Sequence, residues 1–112
     1  MIVVYYEVGT EPRALTIDNT LENMQYLVHG YIEEFPLDDK LSIICNEEGK
    51  INGMAANRFV EIDGEIVDLI CGDFFVTACS GGDFRCLTDG EEKRALAFDY
   101  STGSIRFHAV QG

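Results

Sequence analysis

The stretch FVEIDGEIVDLICGDFFVTA, residues 59–78, decides the fold. Its β-branched and aromatic residues have the composition of strands. Asp63-Gly64 sits between the runs Phe59–Ile62 and Glu65–Leu69. That dipeptide suits a type I′ turn, whose central residues both need positive φ, so the two runs are expected to pair as a hairpin. The apolar run Leu69–Ala78 is then interrupted by Gly72-Asp73. A glycine inside a strand pattern marks a bulge or a bend. Upstream, Leu41–Cys45 reads as a strand, Asn46-Glu47-Glu48-Gly49-Lys50 as a polar turn, and Ile51–Asn57 as a loop or single helical turn. Downstream, Gly81-Gly82-Asp83 turns the chain and Phe84–Leu87 reads as one more short strand.

At the N-terminal end, residues 2–8 have strand composition, Gly9–Pro12 is a turn, and Arg13–Ile17 alternates as a second strand, giving an opening hairpin. Asn19 and Glu22 have the spacing of a capping box. Leu21, Met24, Leu27, Val28, Tyr31, Ile32 and Phe35 follow at helical spacing up to Pro36, so the principal helix is expected over about residues 20–35. Gly30 falls inside it, and His29 falls on its polar face with Glu22, Gln25 and Glu33. Thr88-Asp89 caps an expected short helix over Gly90–Phe98, and Ser104–Val110 alternates as a half-exposed strand. A competing reading makes residues 95–110 a hairpin around Ser101–Gly103. The whole is expected to be a single α+β domain over residues 1–112, with one mainly antiparallel sheet, one principal helix packed on it and a short C-terminal helix.

The 112 residues carry 20 Asp plus Glu against 8 Lys plus Arg, for a formal net charge of -12. A chain of this length fits one domain, and 46% hydrophobic residues suffice for its core. An acidic surface repels phosphate, which argues against direct nucleic-acid binding and against anionic membranes. It leaves basic proteins, cationic ligands, metal ions and imitation of nucleic acid open. The N-terminus lacks a basic region and cleavage site, and no apolar run approaches the roughly 18 residues of a span, so a cytoplasmic protein is expected. Cys45, Cys71, Cys79 and Cys86 have irregular spacing, and reduced thiols rather than a zinc site are expected. No phosphate loop, dinucleotide fingerprint, nucleophile elbow or zinc-protease motif is present. Neither catalytic residues nor a cofactor is expected.

Among the adjacent carboxylates, Glu47-Glu48 stands out because it follows an apolar strand, where a rigid support holds a loop. Ten residues on come Asn57-Arg58. If the two loops meet, Glu47 or Glu48 pairs with Arg58, either as a loop clamp or as a recognition site with amide and guanidinium donors and a carboxylate acceptor. Asn46, Glu47, Glu48, Asn57 and Arg58 are therefore the candidate binding residues. Glu61, Asp63 and Glu65 alternate. On one strand they would lie about 7 Å apart, too sparse to imitate a phosphate every ~3.4 Å, and are read as an ordinary polar hairpin.

Three segments carry a resemblance. Thr20–Glu33 is similar to the helix of the domain of unknown function 3846 family. Asn46-Glu47-Glu48-Gly49-Lys50, Gly53 and Asn57-Arg58 resemble its central signature. Asp68, Ile70 and Gly72-Asp73-Phe74-Phe75-Val76 resemble its strand pattern, with Phe84–Asp89 similar to its closing element. His29 stands where that family's pattern has a glycine, and Met54-Ala55-Ala56 replaces its Leu-Pro stretch. The resemblance implies a small accessory protein of bacteria, phages or mobile elements, with no catalytic activity to carry over. The leading expectation is a non-enzymatic protein-interaction module with a protein partner. The alternatives are a DNA-mimic or other inhibitor of a host defence system, and a small-ligand, nucleotide-like binder using the five candidate residues.

Overall fold

A computed structural model of the protein describes residues 1–110. Among these residues nine strands form two sheets: β1 (Ile2–Tyr6), β2 (Arg13–Thr16), β3 (Ile32–Pro36), β4 (Leu41–Asn46), β5 (Ala56–Ile62), β6 (Glu65–Cys71), β7 (Phe74–Ser80), β8 (Asp83–Arg85) and β9 (Ile105–Ala109). The larger sheet has the order β2-β1-β7-β4-β3, with β8 also paired to β7, and the smaller has the order β6-β5-β9. Every pairing is antiparallel. Helices α1 (Leu21–Val28) and α2 (Asp89–Leu96) and a 3-10 turn (Phe98–Tyr100) complete the fold. The α+β class holds.

The period-2 rule of strands sorts the core into two. Val4, Tyr6, Ile43, Phe74 and Val76 leave one face of the large sheet and meet Val60, Ile70, Ile105 and Phe107 of the small sheet, with Ala95 and Phe98. Val3, Tyr5, Ile44 and Phe75 leave the other face and meet Met24 and Val28 of α1. The layers therefore run α1, large sheet, small sheet with α2. Burial on both faces explains why β4 and β7 read as nearly continuous apolar runs.

Two sheets replace the single sheet expected. The Leu69–Ala78 run is divided between β6 of the small sheet and β7 at the centre of the large one. The bend is at Gly72, whose φ of 85° favours glycine and where a Cβ would lie 2.7 Å from Met54 Sδ. The Asp63-Gly64 turn is as expected, with φ of 51° and 84°.

The principal helix is half its expected length. It is capped by Thr20, whose hydroxyl accepts from the Asn23 amide, while Asn19 donates to the Phe84 carbonyl instead. It ends at His29, which is left-handed at φ 64°, and Gly30 lies beyond it. Residues 32–36 are β3, paired along β4. The apolar positions 32 and 35 share a helix face, but on a strand they point to opposite sides: Ile32 packs toward α1 and Phe35 toward the small sheet. The deciding factor is β4, which is buried along its whole length. With β7 on one side it needs a second strand on the other to satisfy its backbone. At the C-terminal end, α2 has the expected Thr88 cap with a reciprocal bond from Glu91, and residues 95–110 form the end of α2, the 3-10 turn and β9 rather than a hairpin.

Candidate functional site

The five candidate residues occupy two separate clefts. Asn46 is the last residue of β4 and is buried. Its Nδ2 donates to the Val28 carbonyl at 3.0 Å and its Oδ1 accepts the Glu48 amide at 2.8 Å. It thus satisfies an orphan carbonyl at the end of α1 and shapes the following turn in one side chain. Gly49 is fixed by close approach: a Cβ there would lie 2.6 Å from the Cys71 carbonyl oxygen of β6. Lys50 reaches β6 as well, with Nζ 2.6 Å from Asp68 Oδ1. Glu47 and Glu48 are exposed, and neither carboxylate has a partner among the described residues.

This turn and β6 bound a groove of about 220 Å³ lined by Glu33, Cys45, Asn46, Glu47, Lys50 and Ile51 on one side and by Asp68–Cys71 on the other. Burial pushes the Cys45 thiol up to about 12, helped by the nearby Glu33 carboxylate. It therefore stays protonated near neutrality and is a poor nucleophile.

Asn57 and Arg58 open β5 at the second cleft, of about 890 Å³, which the β1–β2 turn, the 3-10 turn and the end of β9 also line. Asn57 Nδ2 donates to the carbonyls of Tyr6 (2.8 Å) and Gly72 (2.9 Å). Arg58 is buried, and its expected partner is corrected: the carboxylate is that of Asp99, held through Nε at 2.9 Å and Nη2 at 3.0 Å. Nη1 donates to the Asn57 carbonyl and to Asn57 Oδ1, and Nη2 to the Thr10 carbonyl. All five guanidinium donors are thereby used. The plane also lies over Tyr6, 5.3 Å from the ring centroid. Burial and the Asp99 carboxylate raise the Tyr6 phenol well above the usual range. Its hydroxyl donates to the Ala95 carbonyl.

Asn57 and Arg58 thus staple β5 to β1, to the Gly72 bend and to the 3-10 turn. They retain no donor for a ligand. Asp99 and Asp68, the carboxylates that complete these contacts, were not legible from local sequence, because Asp99 lies 41 residues from Arg58 and Asp68 lies 18 from Lys50. A third such link joins His29 Nε2 to Asp73 Oδ2 at 2.9 Å. Asp73 also accepts from the Val8 amide and the Tyr5 hydroxyl. The site residues of the resemblance are therefore mostly internal fasteners, with Glu47 and Glu48 as the exceptions.

No curated protein and no solved structure matches the chain. The family model described as Domain of unknown function (DUF3846) matches residues 1–98, and the chain belongs to that family.

Proposed function

We propose that the protein is a non-enzymatic protein-interaction module, an accessory protein of a phage or mobile element, that docks a partner protein along the free edge of β6. The supporting observation is a contrast between sheet edges. Edge strands template further pairing unless blunted by charge, proline or shortness. In the large sheet, β3 carries Glu33 and Glu34 and ends on Pro36, and β2 has only four residues behind Pro12. In the small sheet, β9 at one edge carries Arg106 and His108, whereas β6 at the other pairs with β5 alone, runs seven residues without proline, and has one of its two carboxylates, Asp68, neutralised by Lys50. β6 exposes Ile66 (55%) and Val67 (46%), and Phe59 on neighbouring β5 is 38% exposed. Ile51, at 84% exposure, lines the groove beside β6. Addition of a strand to such an edge derives affinity from main-chain hydrogen bonds and selectivity from alternate side chains.

The test compares proteins co-purified from the native host by the wild type and by the Ile66→Lys/Val67→Lys variant, with circular dichroism to verify folding. A partner retained by the wild type and lost by the folded variant is the expected outcome. Identical recovery by both removes β6 from the function.

A further inference from the structure

We infer that the segment received along β6 is an extended stretch of the partner protein that alternates apolar with basic residues. This inference rests on the β6 reading above and names the chemistry of what binds there. The groove bordering β6 contains Glu33, Glu47, Asp68 and Lys50. Lys50 is ion-paired with Asp68 and also feels the Glu33 carboxylate, so the groove holds three carboxylates, Glu33, Glu47 and Asp68, against this one ammonium. A surplus of negative charge is therefore left to receive positive charge. Tyr31, whose carbonyl accepts the Glu47 amide at 2.9 Å, is 72% exposed. Exposed Ile51, Ile66 and Val67 supply the apolar contacts of the alternation.

The competing occupants fit less well. A volume of about 220 Å³ falls below the roughly 300–1,000 Å³ of small-ligand pockets, but it accommodates one side chain of a longer segment. A nucleic acid would bring phosphates to Glu33 and Glu47. A second copy is itself acidic, with a net charge of -12, and would bring no excess of basic residues to Glu33 and Glu47.

The experiment titrates the full chain with two nine-residue peptides, one alternating Lys with Val and one alternating Glu with Val. Calorimetry gives affinity, and hydrogen exchange read by mass spectrometry gives the site. The Lys-Val peptide is expected to bind, to slow exchange at residues 65–67, and to lose affinity as salt rises. The Glu33→Gln/Glu47→Gln variant, altered only at exposed positions, is expected to bind it at least tenfold more weakly with an unchanged melting temperature. Equal binding of both peptides with protection at 65–67 overturns the basic partner but keeps β6 as the docking edge. Binding without protection there, or no binding of either peptide, overturns the inference. The Ile66→Lys/Val67→Lys co-purification then decides separately whether β6 docks a partner at all.

Discussion

Arg58 shows how a residue that looks like a recognition group becomes a fastener. Its five donors end on Asp99, Asn57 and Thr10 within the protein, so removing it leaves the largely buried Asp99 carboxylate without its cation. Arg58→Met is expected to lower unfolding free energy by about 3–5 kcal/mol, read by urea denaturation. Adding Asp99→Leu is expected to recover part of that loss, because the uncompensated carboxylate goes with it. A ligand-binding Arg58 would instead leave stability nearly unchanged. The sequence shows Asn57 and Arg58 as a noteworthy pair, but their partners are set by which strands lie side by side. Gly49 is similar: its role becomes visible only once the Cys71 carbonyl stands where a side chain would be.

At the scale of elements, local signals were reliable where both ends of the element carry them. The α2 cap is complete within four residues, Thr88 to Glu91. Thr88→Ala is expected to cost about 0.5–2 kcal/mol, measured as a shift in the urea midpoint at constant slope. Arg85 pairs with the same Glu91 and, with the Thr88 bonds, holds its carboxyl down at about 2. A depressed carboxyl contributes stability that is complete above its unfolded value, near 4.5, and is lost as pH falls toward 2. The Glu91→Gln variant is therefore expected to be less stable at neutral pH and to show a shallower loss of stability between pH 4.5 and 2. A parallel acid limb in the two proteins contradicts the pairing. Helix α1 failed the same kind of reading because its second half answers to β4. Periodicity at Ile32 and Phe35 is shared by a helix face and by a strand that contacts two cores. The hairpin at Asp63-Gly64 needed no such context, since both residues require positive φ.

For the whole molecule, the fold class and nearly every strand were legible from composition and turn chemistry. The division into two sheets was not, because Gly72 announces a bend without saying that the chain changes layer there. The net charge of -12 also changes meaning. Acids that the sequence shows as a bulk property divide into those held by cations, such as Asp99 by Arg58, Glu91 by Arg85 and Asp38 by Arg94, and those left free among the described residues, such as Glu33, Glu47 and Glu48. Two of the free ones, Glu33 and Glu47, line the groove beside β6, which pairs with β5 alone. Docking at β6 is tested most directly by hydrogen exchange on the full chain with and without the partner recovered by co-purification. Slowed exchange confined to residues 65–71 and 46–51 is the predicted result. Slowing centred on residues 8–11 and 99–100, around the Arg58 cleft, with none in β6, would contradict it.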